Sequence, residues 1–248
     1  MQSEGIPVLM YHHVTNHPGD TVTVTPDVFA GQIECLAENG YRFLTCRELV
    51  GYVTGDQPVD EKAVLLTFDD GWLDYYINAF PVMERFRVKS TVFVITGRTD
   101  AASRVGCLID TDSPVHETAK KQIQNGHAER VVLDWQTIHR MADSGLVSFY
   151  SHTVTHRRCA ELADGELVRE LKASKSVLER ELGDVCDYLC WPYGNFDELT
   201  IQAALQAGYK AIFTTIDGFS QADSDPHRIK RIEVKDSIEW MKERLSLT

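Results

Sequence analysis

The sequence predicts an α/β protein, a distorted (β/α) barrel of seven or eight strand–helix units. Apolar strand-like runs alternate with amphipathic helical patterns along most of the chain, and parallel strands need crossover connections of this kind. The 248 residues suffice for one large domain, so we expect a single domain over residues 1–248. An open doubly wound sheet is the alternative, but no G-x-G-x-x-G or Walker pattern supports a nucleotide site.

The first part of the chain predicts four strands with helices between them. Thr25 and Pro26 begin a helix that Gly40 ends, because threonine is a common N-cap and proline suits the first helical position. Residues 73–87 predict a helix with a break at Pro81. The expected strands cover residues 6–11, 42–45, 63–68 and 91–95.

Residues 97–133 differ from the rest because they are polar and contain few periodic apolar positions. We predict that this segment is a loop insertion at the active site with one helical piece. Regular patterns return after it. Helices are expected at 134–143, 164–182, 198–206 and from about residue 237, and strands at 146–150, 187–190, 210–214 and 229–234.

Charge and hydropathy exclude several classes of protein. The net charge of −12 argues against a nucleic-acid partner, which would require a basic patch. No apolar run is long enough to predict a membrane span. The first five residues carry neither a basic nor an apolar leader region, so the protein is expected to be cytoplasmic or to have lost a leader. Six scattered cysteines indicate reduced thiols.

Polar residues follow four of the predicted strands at the point where each strand ends. In a (β/α) barrel the carboxyl ends of the strands meet at one mouth, where active sites are built. We therefore expect these residues to share a site. They are Tyr11-His12-His13, Asp69-Asp70-Gly71, Ser151-His152-Thr153 and Trp191-Pro192-Tyr193-Gly194.

Histidines and carboxylates in this set suggest a metal centre. His152 and His156 are four residues apart, and on one helical turn their side chains would point the same way and share a metal. Asp69 and Asp70 can complete the centre. In extended backbone neighbouring side chains diverge, so one carboxylate can bind metal while the other faces substrate. The alternative is that Asp70 caps the following helix.

Two segments resemble the first two motifs of the polysaccharide deacetylases, carbohydrate esterase family four, which share the NodB-homology domain. They are Thr67-Phe68-Asp69-Asp70-Gly71 and Ser151-His152-Thr153-Val154-Thr155-His156. Val8-Leu9-Met10-Tyr11-His12 and Trp191-Pro192-Tyr193-Gly194 look most like the poly-β-1,6-N-acetylglucosamine N-deacetylase branch, whose barrel is circularly permuted. The resemblance covers nearly the whole chain. It implies a metal-dependent hydrolase that removes N-acetyl groups from N-acetylglucosamine-containing glycans or glycoconjugates.

The resemblance also implies which residues bind metal and activate water. Asp70, His152 and His156 would be the metal ligands, and Asp69 would be the general base. Zinc is the expected metal, while cobalt, nickel or iron can occupy the same ligands.

The remaining roles concern the acid and the substrate. The resemblance implies that His12 is the general acid, with His13 as the alternative, and that Tyr193 offers its backbone N–H to an oxyanion. Trp191 and Pro192 belong to the same substrate-binding motif, and Trp191 is expected to stack on a sugar ring. The other histidines, including His116, are expected on the surface or in loops.

Two positions depart from the family pattern. Cys190 stands where the third motif usually opens with arginine, and Lys230-Arg231-Ile232-Glu233 lacks the late histidine. The permuted branch would explain the second departure through His12. For the first, our hypothesis is that Arg231 holds Asp69 in place.

Two other functions fit the same pattern. One is a non-catalytic metal- and glycan-binding protein on the same fold, which the two departures favour. The other is a non-haem iron enzyme, because two histidines and one carboxylate also bind iron in oxygenases. The sequence leaves the exact glycan and the oligomeric state open.

Overall fold

The computed structural model describes residues 5–110 and 113–247. The expectation about a missing leader rests mainly on residues 1–4, which lie outside these ranges. Within the described ranges no helix is both long and apolar enough to cross a membrane.

A curled sheet of parallel strands forms the centre of the molecule. Its strands run in the order β10-β1-β5-β6-β7-β8-β9, with β4 beside β5, and every pairing is parallel. The short strands β2 and β3 pair separately. The strands are β1 (Val8–Tyr11), β2 (His13–Val14), β3 (Thr23–Val24), β4 (Arg42–Phe43), β5 (Ala63–Phe68), β6 (Ser90–Val94), β7 (Val147–Ser151), β8 (Tyr188–Cys190), β9 (Ala211–Phe213) and β10 (Ile232–Glu233).

Helices cover the outside of this sheet. Thr45 begins α2 with a reciprocal capping box to Glu48. Thr25 precedes α1 as predicted, but its hydroxyl donates to Asp236 Oδ1 at 2.8 Å instead of capping the helix. The helices are α1 (Pro26–Glu38), α2 (Cys46–Val53), α3 (Phe80–Phe86), α4 (Thr96–Ser103), α5 (His116–Gln124), α6 (Trp135–Asp143), α7 (Asp164–Leu182), α8 (Glu198–Gln206) and α9 (Ile238–Arg244).

The two edges of the sheet approach each other. Phe213 in β9 forms a parallel bridge with Ile229, shortly before β10, and Thr214 N–H donates to Ile229 O at 3.0 Å. The curled parallel sheet and its surrounding helices confirm the predicted distorted (β/α) barrel. The open doubly wound alternative is wrong, because its strands would not return towards the first edge.

The helix expected over residues 73–87 with a break at Pro81 continues through the proline, and its irregular turn lies before it. A π-helical turn covers Tyr75–Ala79, and α3 begins at Phe80. The break expected at Pro81 is therefore a widened helical turn directly before the proline and not an end of the helix.

Residues 97–133 contain more helix than predicted. Most of α4, all of α5 and a 3-10 turn at Ala128–Arg130 lie in this segment. Their apolar contacts come largely from alanines packed around Trp72, including Ala102 and Ala119. Small side chains produce little hydrophobic periodicity, which explains why the pattern suggested a loop. The description of the segment as an insertion stays a prediction.

Candidate functional site

Polar residues beyond the carboxyl ends of β1, β5, β7 and β8 meet at one cavity of about 780 Å³. This is the mouth that the barrel prediction required. Pro192 is the one predicted site residue that does not line it. Those that do are His12, Asp69, Asp70, His152, His156, Trp191, Tyr193 and Arg231.

Asp70, His152 and His156 form a group that can hold a metal ion, with their ligand atoms within 4.8 Å of one another. Asp70 Oδ1 lies 3.1 Å from His156 Nε2 and 3.7 Å from His152 Nε2. Within the described part of the chain this buried oxygen has no hydrogen-bond donor. Two imidazole nitrogens facing an unpaired carboxylate oxygen fit a divalent cation such as zinc.

Hydrogen bonds around the group prepare it for a cation. Asp70 Oδ2 accepts from the indole N–H of Trp72 at 3.0 Å. His152 Nδ1 lies 2.8 Å from Cys190 O, and because a carbonyl only accepts, this nitrogen carries the proton. His152 Nε2 therefore directs its lone pair into the candidate metal site beside Asp70.

Burial keeps both imidazoles neutral. It lowers the pKa of His152, and it lowers the pKa of His156 to about 3, against the opposing charge of Asp70. Burial alone would raise the pKa of Asp70, but the nearby histidines hold it well below its usual range. A carboxylate and two neutral imidazoles are the protonation states that bind metal.

Backbone geometry at the centre differs from the predicted geometry. His152 and His156 lie on a loop, not on a helical turn, and the loop folds back because Thr153 and His156 have φ values of 64° and 61°. Asp70 is left-handed at φ 73° where extended backbone was expected. It caps no helix, so that alternative is wrong.

Glu170 in α7 holds the loop between the two histidines, and sequence reasoning missed it. Its Oε2 accepts the N–H groups of Val154 and Thr155 at 2.9 Å each, and its Oε1 accepts the Thr155 hydroxyl at 2.6 Å. The signal in the sequence was a charged residue among the positions that α7 buries.

Arg231 contacts Asp69 in the way that the positioning hypothesis requires. Its two terminal nitrogens donate to Asp69 Oδ1 at 2.7 Å and Oδ2 at 2.8 Å. Its Nε donates to Thr214 O at 2.8 Å. Burial would raise the pKa of Asp69, but the Arg231 charge and hydrogen bonds outweigh burial and lower this pKa to about 2.

Cys190 lies beside this pair. Its Sγ is 3.0 Å from an Arg231 nitrogen and 3.6 Å from Asp69 Oδ2. Asp69, His152 and Cys190 form a second group with metal-ligand spacing. The Asp69 oxygens are already paired with a guanidinium, and burial raises the pKa of the Cys190 thiol well above its usual value. This second group is therefore a poor cation site.

The two adjacent histidines after β1 lie in different surroundings. His12 lines the cavity, with its Nε2 4.0 Å from Asp69 Oδ2 and its side chain 20% exposed. His13 is buried, with Nδ1 2.6 Å from Asp74 Oδ2 and Nε2 3.0 Å from His116 Nδ1. Of the two, His12 is the one that a substrate in the cavity can reach.

The two aromatic residues after β8 differ in exposure. Trp191 is fully buried, so the expectation that its ring stacks on a sugar is wrong. The exposed ring belongs to Tyr193, which is 57% exposed and 4.5 Å from the His156 ring between centroids. A Cβ on Gly194 beside it would lie 2.0 Å from Thr215 Oγ1, so a larger residue there would force the Thr215 side chain to move.

One wall of the cavity comes from the segment at 97–133. Arg98, His116 and Lys120 line it. Arg98 lies over the Trp72 ring at 5.9 Å, and His116 meets the same ring edge-on at 5.8 Å. His116 begins α5 and is half-buried at this wall, so the expectation that it lies on the surface or in a loop is wrong.

Comparison with known proteins adds a family match. Residues 56–212 match the family model described as polysaccharide deacetylase. The Bacillus subtilis protein YxkH is 28% identical over 229 residues, which cover 92% of this chain and 71% of that protein. The poly-β-1,6-N-acetyl-D-glucosamine N-deacetylase of Escherichia coli K12 is 26% identical over 257 residues, and 90% of this chain spans 36% of its length.

A solved structure has the same fold over nearly the whole chain. The Streptococcus pyogenes deacetylase PplD, determined in complex with acetate, superposes with a TM-score of 0.82. It is 26% identical to this chain, and the match covers 97% of both chains.

Proposed function

The chain belongs to the polysaccharide deacetylase family, and we propose that it uses a divalent metal to remove N-acetyl groups from N-acetylglucosamine residues of a glycan or glycoconjugate. An enzyme that acts on carbon–nitrogen amide bonds follows from the family. The metal, the substrate and the residue roles are the proposed part.

One observation carries this proposal. The unpaired Asp70 oxygen faces two imidazoles, while the neighbouring Asp69 carboxylate is held separately by Arg231 in the same cavity. A metal site and an ionised base side by side are what hydrolysis of an unactivated amide needs. The ligand set favours zinc, and cobalt, nickel or iron would also fit.

The chain's own residues would divide the work of hydrolysis. Bound at Asp70, His152 and His156, a metal would polarise the acetyl carbonyl and lower the pKa of the attacking water, so that even a weak base can serve. Asp69 is ionised at neutral pH, as its lowered pKa requires, and would accept the water's proton.

The remaining steps concern the charge on oxygen and the leaving amine. The Tyr193 backbone N–H would donate a hydrogen bond to the oxyanion. His12, whose Nε2 lies 4.0 Å from Asp69 Oδ2, would then protonate the amine, which cannot leave as an anion.

The substrate class rests on the relatives. The Escherichia coli relative is named for a β-1,6-linked N-acetylglucosamine polymer, and Tyr193 offers an exposed aromatic face beside the metal position. A cytoplasmic location stays a prediction.

A glycan-binding protein without catalysis is the second candidate. The missing motif arginine and the missing late histidine favoured it, but the Arg231 guanidinium lies 3.0 Å from the Cys190 sulfur and contacts Asp69. That observation favours the catalytic proposal. A non-haem iron oxygenase finds no support in the family match.

Acetate release from N-acetylglucosamine oligomers by zinc-loaded protein tests the proposal. We expect release by the native protein and a loss of at least about a hundredfold in Asp69→Asn, because a general base is removed. Asp60→Asn is the matched control, since Asp60 is exposed before β5 and far from the carboxyl ends of the strands. Metal bound without acetate release would support the non-catalytic binder.

A further inference from the structure

Three side chains outside the proposed machinery form a hydrogen-bonded chain that ends at the cavity. Asp74 Oδ2 accepts from His13 Nδ1 at 2.6 Å, and His13 Nε2 lies 3.0 Å from His116 Nδ1. Asp74 and His13 are buried, with side chains 4% and 1% exposed, whereas His116 is half-buried and lines the cavity. A buried carboxylate is therefore connected through two imidazoles to the cavity wall.

The hydrogen bonds define the role of each nitrogen. A carboxylate only accepts, so His13 carries a proton on Nδ1, and Asp74 Oδ1 also accepts the Val14 N–H at 2.9 Å. His13 Nε2 and His116 Nδ1 share one proton between them. His116 Nδ1 is engaged whichever nitrogen donates, so a substrate group in the cavity would meet His116 Nε2.

Ring contacts fix the orientation of His116. Its ring meets the His13 ring edge-on at 5.2 Å and the Trp72 ring edge-on at 5.8 Å. Trp72 in turn donates to Asp70 Oδ2, so the same indole contacts a proposed metal ligand and supports His116. His116 therefore lies near the metal position, in an orientation set by packing as well as by hydrogen bonds.

We propose that His116 is a substrate-binding residue that contacts the glycan through Nε2, and that Asp74 and His13 are positioning residues that act through it. The arrangement follows the general logic by which a third group orients an imidazole that touches the substrate. The segment at 97–133, which contains His116, would then contact the glycan directly. This inference rests on the proposed function for the identity of the ligand.

The competing explanation is a structural clamp. In that case the hydrogen bonds would only attach the start of α5 to the barrel, and the loss of His116 would change stability but not glycan affinity. The two explanations differ in how Asp74 and His116 combine, because a residue that acts through another has no effect once the other is gone.

Glycan binding in the Asp69→Asn background, measured by calorimetry with N-acetylglucosamine tetramer and zinc, separates them. We expect His116→Ala to weaken binding about tenfold, as for a lost hydrogen bond in a cavity, with the melting temperature recorded in parallel. His116→Gln should recover part of the affinity, because its amide can still hydrogen-bond. His127→Ala is the matched control, since His127 is exposed in the same segment.

A double-mutant cycle completes the test. Asp74→Asn should weaken binding in the presence of His116 and add nothing in the His116→Ala background. Unchanged glycan affinity in folded His116→Ala would overturn the proposal. An equal effect of Asp74→Asn on affinity with and without His116 would also overturn it, and so would the absence of tetramer binding by the Asp69→Asn protein. Tetramer binding without acetate release by native protein would refute the proposed function alone, while the affinities would still decide the role of His116.

Discussion

Arg231 supplies a guanidinium to Asp69 from a part of the chain where the family pattern does not place one. It is fully buried just before β10, yet its terminal nitrogens reach both Asp69 oxygens and the sulfur of Cys190. Two guanidinium groups could not share this space without strong charge repulsion. We therefore expect that an arginine at position 231 requires a small neutral residue, such as cysteine, at position 190.

Replacement of Arg231 by alanine should abolish acetate release while metal binding is retained, because Asp69 contacts the arginine and the metal group contains Asp70 instead. The variant should also lose about 3–5 kcal/mol of unfolding free energy, since an uncompensated charge would stay buried. Acetate release, bound zinc and chemical denaturation measure the three effects. An active Arg231→Ala enzyme would refute the positioning role.

A swap between the two positions tests the linkage. Cys190→Arg alone should destabilise the protein, because two guanidinium groups would meet beside one carboxylate. Cys190→Arg combined with Arg231→Ala should be more stable than either single variant and recover some acetate release. If the double variant loses the sum of the stabilities that the two single variants lose, the two positions do not depend on each other.

At the scale of elements, the loop after β7 depends on neighbours from two other elements. Glu170 in α7 accepts three hydrogen bonds from the loop. At the start of α4, the Thr96 and Gly97 N–H groups donate to Thr153 O and Val154 O at 3.1 and 3.0 Å. A Cβ on Gly97 would lie 2.6 Å from Val154 O, so the approach requires glycine. The loop is thereby fixed even though it has no regular structure.

Glu170→Ala should weaken zinc binding about 10- to 100-fold, as substitutions behind metal ligands do, because the Val154 and Thr155 N–H groups would lose their acceptor. Glu166→Ala is the matched control, since the Glu166 side chain is 39% exposed on the same helix and pairs with Arg157 at 3.1 Å. Competition with a zinc chelator measures the affinities. Equal affinities in the two variants would show that Glu170 does not position the ligands.

At the scale of the whole molecule, the curl of the sheet brings the first and last strands of the described chain together. β10 pairs with β1, and α9 packs on α1. This closure places Arg231 opposite Asp69, 162 positions apart in the chain. Because the contact spans most of the chain, the proposed base is held correctly only when the whole barrel has formed.

Overall stability should depend on pH through His13 and Asp74. Burial lowers the pKa of His13, but the Asp74 charge and hydrogen bond outweigh burial and raise this pKa above its usual 6.5. A raised pKa in the folded state stabilises the protein below the unfolded pKa, and this contribution is lost as pH rises through the folded pKa.

Asp74→Asn should therefore lower the melting temperature by a few degrees near pH 5, and by less near pH 9. Thermal unfolding of the native protein, Asp74→Asn and the exposed control Asp60→Asn across this range measures the difference. A decrease that is constant with pH would show that protonation of His13 does not contribute to stability through Asp74.

Local patterns predicted most of the fold. The bounds of β5, α7 and α8 agree with the prediction at residue level, because a continuous apolar run and a clear helical period are local properties. Hydrophobic periodicity did not predict the helices within 97–133, because the buried alanines there each bury little area. The spacing of His152 and His156 wrongly suggested a helical turn, because positive φ values shape that loop instead.

The sequence by itself determined the alternating α/β order and the four polar groups at strand ends, since both follow from residue types at short spacing. Only the tertiary structure decided that Arg231 contacts Asp69, that Glu170 holds the ligand loop and that Trp191 is buried. The same holds for His12, which lines the cavity, and for His13, which turns away from it. These outcomes depend on packing between segments far apart in the chain, which no local pattern encodes.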